Sequence, residues 1–410
     1  MKFRELSIDE YKKFIKNYKN SNFFQDNRMD NYSKFKGYIS YYVGVEDNKN
    51  IVAAARLLAK KSKFGKYNFS SPRGLLVDYN NFELLEFFVN NLKKYIKTKN
   101  GLVLKIDPYI IYKSRDIEGS ETKEINNSNI VNNLKKLGFI HGGFTRGYDL
   151  SGQGRWYFVL DLENKSLDDI QKGMKANHRN IIRKAEKYGV EIKQIEYNDL
   201  PTFKHITEDT SARIGFSDKS LVYYQTMYDS FKDEVKYLIA YLNVDKYKEK
   251  LKEELEINQN KYKLLSDTTT GKAKELKITI DGLIKRLDES NHLKEKQIPI
   301  SCAMFMLYNG EVDYLFSGSL SEYKNLYAQY LIQWHMIKYA IENNYKKYNF
   351  FGISGIFDKK DSEYGVYEFK KGFGGVVEEL IGDFYLPTSI LYKIKRIIKD
   401  RRIYENRNSK

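Results

Sequence analysis

The chain has 410 residues, enough for two or three domains and a sizeable buried core. With 41% hydrophobic, 15% aromatic and 30% charged residues, it is too rich in core-forming side chains for a disordered chain and too evenly polar for a membrane channel. A formal charge of +16, from 70 Lys and Arg against 54 Asp and Glu, points to a polyanion, an anionic membrane surface or a phosphorylated substrate as partner.

The N-terminal MKFRELSIDEYKKF lacks the apolar run of a secretory signal, and no stretch approaches 18 uninterrupted apolar residues, so a soluble, cytoplasmic protein is expected. YISYYVGVED, the polar DNKN and IVAAARLLA predict two strands joined by a turn, and FSSPRGLLVD a third. In FELLEFFVNNLKKYIK, Leu84, Leu85, Phe88, Leu92 and Ile96 recur at helical spacing, and Gly101 stops the helix before the strand LVLKIDP. Asp107 ends that strand, where it either forms a turn ahead of Pro108 or points a carboxylate into a cleft at the sheet's edge. A short helix at NIVNNLKKLG closes the first 150 residues.

A similar order follows Arg155: the strand WYFVLDL, one long helix from Leu167 to Tyr188, Gly189 as its stop, then VEIKQIEY. On that helix Arg179, Arg183 and Lys187 fall at i+4 steps, a basic stripe that is either a solvated face or a seat for phosphates. Helices at DLPTFKHITEDTSAR and SLVYYQTMYDSF precede the strand VKYLIAYL. Between Val244 and Gln297 the pattern changes. Val244, Leu251, Leu255, Asn258, Tyr262 and Leu265, and after SDTTTGKA also Ala273, Leu276, Ile280, Leu283 and Leu287, fall at heptad-type steps. Two antiparallel helices are expected, an arm that is either a rigid strut or a docking element for tRNA or a partner.

Beyond residue 298, IPISCAMFMLYN and VDYLFSGSL flank the turn dipeptide Asn309-Gly310, and the helix LYAQYLIQWHMIKYAIENN leads to the strand KYNFFGIS. The single cysteine, Cys302, lies in an apolar run, which excludes an intrachain disulfide and a cysteine-based zinc site. In GVYEFKKGFGGVVEEL, Lys370 and Lys371 stand between Phe369 and Phe373, ahead of Gly374-Gly375. A lysine flanked by aromatics near a flexible backbone suits an oxyanion or a phosphate. From Thr388 onward eight Lys and Arg face two acids, with Ile390, Ile394, Ile397 and Ile398 as an apolar stripe. That tail is either a frayed terminus or a site of attraction for phosphates of tRNA or of an anionic inner leaflet. Motifs for nucleoside triphosphates, for zinc and for a serine nucleophile are missing, and the five histidines are scattered.

RWYFVLDL, HRNIIRKAEKYGV, DYLFSGSLSEYKNLYAQYLIQWHMIKYAIENNYKKYNFFGISG and GVYEFKKGFGGVVEELIGDFYLP, in that order, resemble the Fem family of aminoacyl-tRNA-dependent transferases that build peptidoglycan interpeptide bridges. SPRGLLVD and LKIDPYI are similar to that family's first domain. The resemblance implies an α/β fold class with mixed sheets: two Gcn5-related acetyltransferase-like domains plus an antiparallel coiled-coil arm of the staphylococcal type. The corresponding divisions are residues 1–150, residues 151–243 with 298–387, the arm 244–297 and the basic tail 388–410. It further implies transfer of glycine, alanine or serine from aminoacyl-tRNA to the stem-peptide amine of lipid II or a UDP-linked muropeptide, with transient contact at the inner membrane face. No metal and no organic cofactor are needed, because the ester is already activated.

By the same resemblance, Lys370 matches the family's essential lysine, with Phe369 beside it and Lys371 as the alternative register. Asp107 matches an acidic residue of the substrate cleft. Lys36 and Arg213 match basic residues that hold substrate phosphates, Tyr224 and Tyr323 match cleft tyrosines, and Arg73 of SPRGLLVD joins the substrate-binding set. The Arg179, Arg183 and Lys187 stripe is expected to meet tRNA phosphates. Two other readings stay open: a coenzyme A-dependent N-acyltransferase of the same fold, and a non-catalytic protein that binds tRNA or membrane. The first calls for a glycine-rich basic loop opening a helix, and the sequence offers no convincing one.

Overall fold

A computed structural model describes residues 1–62, 65–148, 152–215 and 217–392. The strands in chain order are β1 (Lys2–Glu5), β2 (Tyr38–Asp47), β3 (Asn50–Lys61), β4 (Tyr67–Arg73), β5 (Gly101–Pro108), β6 (Ile111–Arg115), β7 (Glu121–Asn126) and β8 (Ile140–His141). They continue with β9 (Trp156–Asp161), β10 (Val190–Gln194), β11 (Val235–Asn243), β12 (Gln297–Tyr308), β13 (Glu311–Ser319), β14 (Lys347–Gly352), β15 (Val376–Leu380) and β16 (Phe384–Pro387).

The first sheet has the order β1-β2-β3-β4-β5-β16-β8. Strands β4 and β5 run parallel, with Pro72 opposite Asp107. A parallel pair needs a crossover, and the helix Phe82–Thr98 supplies it. The Asn81 side chain caps that helix by accepting the Leu84 N–H, and Leu85, Phe88, Val89, Leu92 and Ile96 bury its inner face completely. They pack on Phe69, Leu104, Ile106, Phe384 and Leu386 of the sheet. Strand alternation then turns Asn68, Ser70 and Pro72 of β4, and Val103, Lys105 and Asp107 of β5, to the opposite face. That second face carries the site.

The second sheet has the order β10-β11-β12-β13-β14-β9-β15-β6-β7, with β13 and β14 as its parallel pair and the helix Ala328–Glu342 as their crossover. Both of its faces are covered. One packs on the helices Ala176–Lys187, Ala328–Glu342 and Tyr364–Lys371, the other on Leu200–Ile214 and Leu221–Phe231. A division at residue 150 is crossed in both directions: β6 and β7 join the second sheet through β15, and β16 joins the first. The alternation of Phe384 and Leu386 explains the second crossing, because both side chains complete the first core.

The single helix expected from Leu167 to Tyr188 is two, Leu167–Gly173 and Ala176–Lys187, broken where Met174 is extended. The break frees the Lys175 N–H to donate to the Gly372 carbonyl at 2.9 Å. A Cβ on Gly374 would stand 3.1 Å from the Gly173 carbonyl, so the glycines after Lys371 dock against the break itself. The arm forms as expected, from the antiparallel helices Val244–Lys263 and Gly271–Asn291 with Leu251, Ala273 and Leu283 buried along the seam. The expected basic tail from Lys393 onward lies outside the described residues. Among the described residues no helix is long and apolar enough to cross a membrane.

Candidate functional site

A cavity of about 1400 Å³ runs across the open face of the first sheet. Lys60, Asn68, Ser70, Pro72, Lys105, Asp107 and Tyr385 line it from successive strands, together with Tyr38, Lys66, Gly152 and Gln153. Four lysines, counting Lys61, against one carboxylate make the trough electropositive. One of the four is committed: Lys105 pairs with Asp383 at 2.7 Å. Lys60 Nζ lies 4.8 Å from the centre of the Tyr38 ring.

Asp107 is 5% exposed at the end of β5. Its Oδ1 accepts the Arg73 backbone N–H at 3.0 Å, while its buried Oδ2 has no hydrogen-bond donor and meets the Arg73 guanidinium only at 3.5 Å. Burial raises the carboxyl to about 6, with Arg73 opposing and Asp383 adding to the rise. At neutral pH it is therefore ionised yet close to taking up a proton, the state a general base needs. Arg73 has φ +56, a left-handed conformation rare for a long side chain. The guanidinium is fixed by donating to the Gly154 carbonyl at 2.8 Å and to the Tyr157 hydroxyl.

Lys370 stands in the last turn of the helix Tyr364–Lys371, just ahead of Gly374-Gly375. Its ammonium is buried and donates to the carbonyls of Gly352 at 2.5 Å and Phe351 at 3.3 Å. Burial alone lowers it to about 7, and no carboxylate compensates it. Lys371, also buried, is instead paired. It pairs with Glu118 at 2.5 Å and Glu368 at 3.4 Å, and although burial pulls its ammonium down, Glu118, Tyr367 and Glu368 together hold it above the ordinary lysine range. Of the two lysines, only Lys370 is poised to exchange a proton near neutrality. Lys371→Gln is expected to keep turnover within about threefold of wild type and to cost about 1 kcal/mol or less, since Glu118 is largely exposed; steady-state kinetics and a thermal melt check both.

Lys370 does not itself line the trough. A Cβ on Gly154 would stand 3.9 Å from Gly352 Cα and 3.5 Å from the Tyr157 hydroxyl, so Gly154 lies between the peptide that anchors Lys370 and the residues that hold Arg73. Lys370 and Asp107 are thus joined by a short series of contacts, through Gly352, Gly154 and Arg73. The Lys370 helix is fixed from behind by His178, whose Nε2 donates to the Phe369 carbonyl at 2.9 Å, and a Cβ on Gly372 would fall on the His178 ring. Phe369 packs edge-on to Tyr330 at 4.8 Å.

The remaining expected site residues lie apart. Lys36 is exposed at the end of the helix Asp30–Phe35, and Arg213 is exposed at the end of Leu200–Ile214, reaching the Ser319 carbonyl at 3.4 Å. Tyr224 is a core residue rather than a cleft tyrosine: it is fully buried among Phe203, Tyr237 and Phe316, with its hydroxyl donating to Asp218 at 2.8 Å. Tyr323 lies near Tyr247 and Glu295, at the base of the arm. Arg179 is used locally, donating to the carbonyls of Gln171 and Met174 and so closing the preceding helix, while Arg183 and Lys187 stay exposed. Sequence reasoning missed Lys60, Lys66, Lys105 and Tyr385. Period-2 alternation back from Asp107 picks out Lys105, but placing β3 and β16 beside it needs long-range pairing.

The model of the FemAB family matches residues 6–400. The aminoacyltransferase FemA of Staphylococcus epidermidis is 36% identical over 414 residues, 97% of this chain and 99% of that protein. The aminoacyltransferase FemA of Staphylococcus aureus is 34% identical over 419 residues, 98% of this chain and 100% of that protein. The crystal structure of FemX superposes with a TM-score of 0.75 at 24% identity, covering 96% of this chain and 99% of that one, which shows a shared fold. Matched by the family model and by these relatives over almost its whole length, the chain belongs to the FemAB family.

Proposed function

We propose that this chain moves an aminoacyl group from aminoacyl-tRNA to the side-chain amine of a stem peptide carried by lipid II or a UDP-linked muropeptide. It is an aminoacyltransferase that adds an amino acid to the interpeptide bridge of a peptidoglycan precursor. The observation that carries the reading is a buried, uncompensated Lys370 joined through Gly352, Gly154 and Arg73 to the buried carboxyl of Asp107, which lines a lysine-rich trough.

Aminolysis of an ester needs a neutral amine, a stabilised oxyanion and a protonated leaving group. The acceptor ammonium enters the trough and gives a proton to the ionised Asp107. Its nitrogen then attacks the ester carbonyl, the N–C bond forms, and the carbonyl oxygen takes up negative charge. The charged form of Lys370 meets that oxygen from the side of Gly352. As the C–O ester bond breaks, Lys370 supplies the proton that the ribose oxygen carries away. Of the three ammonium protons, one passes through Asp107 to solvent, one leaves the nitrogen as the intermediate collapses and restores Lys370 after it has protonated the ribose oxygen, and one remains on the new amide. The role of Lys370 requires Gly154, which lies between the Lys370 anchor and Arg73, to move aside when the ester binds.

Lys60 and Lys66 provide charge for the acceptor's phosphates. The double variant Lys60→Gln with Lys66→Gln is expected to raise the acceptor KM about tenfold or more, to leave kcat within about twofold, and to flatten the dependence of KM on salt. Initial rates at several ionic strengths check it.

The reading is tested by the donor. Purified chain, lipid II and either charged tRNA or acetyl-coenzyme A are mixed with label on the acyl group. Incorporation that depends on charged tRNA and is abolished by ribonuclease supports the reading, and incorporation from acetyl-coenzyme A alone overturns it.

A further inference from the structure

Strands β13, β14 and β15 bring five polar side chains together inside the second sheet. Lys347 Nζ lies 2.8 Å from Glu378 and 3.5 Å from Glu311, while Asn349 Nδ2 donates to Glu311 at 2.8 Å and to Asp313 at 2.9 Å. Into this cluster reaches Tyr109, from the segment just after β5, donating its hydroxyl to Glu311 at 2.7 Å. Tyr109 follows Asp107 by two residues, yet its tether belongs to the other sheet. Its ring stands 5.6 Å from the Arg73 guanidinium carbon, and the Tyr157 ring stands 5.3 Å from the same carbon. The two rings lie 6.4 Å apart at 82°, so the guanidinium is held against two nearly perpendicular aromatic faces.

We propose that Tyr109 is a positioning residue: tethered by Glu311 of the second sheet, it holds the Arg73 guanidinium against Asp107 and so sets the pH at which Asp107 ionises. The charged and titratable groups facing Asp107 are Arg73 from β4, Lys105 from β5, Asp383 from the turn before β16, Tyr157 from β9 and Tyr79 from the segment after β4. Of these, Arg73 is the first that favours the ionised form, so loosening it moves the midpoint upward. The tether makes the carboxyl's ionisation depend on how the two sheets sit together, a dependence that Asp107 and Arg73 alone would not have. The ionisation claim stands independently of the transfer reading, and only its kinetic consequence rests on it.

The test is a titration of the full chain labelled with carbon-13 at aspartate carboxyls, followed by NMR, with the Asp107 signal assigned by its loss in Asp107→Asn. Tyr109→Leu removes ring and tether and is expected to raise the Asp107 midpoint by about one pH unit. Tyr109→Phe keeps the ring, is the safer variant for folding, and is expected to raise it by a smaller amount. Glu311→Gln retains an acceptor for the hydroxyl and leaves the midpoint at the wild-type value. Equal midpoints in wild type, Tyr109→Phe and Tyr109→Leu overturn the proposal. In transfer assays the acidic limb of kcat/KM is expected to move with the midpoint. A midpoint that moves while the limb stays fixed upholds the positioning role and removes Asp107 from the reaction.

Discussion

Replacing Lys370 by methionine is expected to lower kcat by about a hundredfold to a thousandfold, the usual cost of removing one preorganised partner of a developing oxyanion, without lowering the melting temperature at pH 7. The two halves of that expectation have one cause. A buried ammonium whose proton dissociates near 7 rather than at 10.5 is a group that the fold holds at a cost. Below pH 7 folded and unfolded chains both keep the proton, and the folded chain bears the whole penalty of burying it. Between 7 and 10.5 the folded chain has released a proton that the unfolded chain retains, so the penalty shrinks as pH rises and is gone above 10.5. Methionine has a similar length and no charge. It gives up the bonds to Phe351 and Gly352, so the gain in melting temperature is largest in acid and narrows toward pH 10. A loss of activity that simply follows a loss of folded protein contradicts this assignment. Circular dichroism melts across pH, beside single-turnover kinetics, decide between the two.

Asp107→Asn is expected to reduce kcat/KM by about a hundredfold to ten-thousandfold, the range for a positioned general base, and to stabilise the chain above pH 6. The folded carboxyl takes up its proton at about 6 and the unfolded one at 3.8. Between those values the folded chain binds more protons, so stability falls as pH rises, and above 6 the full cost of the buried charge, about 3 kcal/mol, is present. Asparagine removes it and still accepts the Arg73 N–H. Wild-type kcat/KM is expected to be bell-shaped, with an acidic limb near 6 from Asp107 and an alkaline limb near 7 from Lys370. Lys370→Arg, whose guanidinium keeps its charge, removes the alkaline limb.

What the sequence made legible follows the range of the forces involved. The strands β2 to β5, the helix between β4 and β5, and the arm were all readable, because each carries its own hydrophobic period and its own stops. Lys370 and Asp107 stood out by resemblance, and Asp107 also by its place at a strand end. The helix that carries Lys370 was not readable: its eight residues include a glycine and two adjacent lysines, and His178 and Gly372, far apart in the chain, hold it in place. Tyr224 turns out to be a core residue because its burial comes from packing against Phe203, Tyr237 and Phe316, which no local window reports. The broken helix at Met174 was hidden because the Lys175 N–H that it frees is satisfied by the Gly372 carbonyl, almost two hundred residues away. The exchange of β6, β7 and β16 between the sheets is likewise a matter of tertiary pairing, which no local window reports.

The reaction leaves its signature on the acceptor nitrogen. Lipid II or a UDP-linked muropeptide is incubated with the chain and a pool of charged tRNA, and the product is fragmented in a mass spectrometer. The expected result is one or more added aminoacyl residues, joined by an amide to the side-chain amine of the stem-peptide diamino acid, formed by wild type and lost in Lys370→Met. An intact acceptor mass after exhaustive reaction with every charged tRNA, or an acyl group found anywhere other than on that amine, would contradict it.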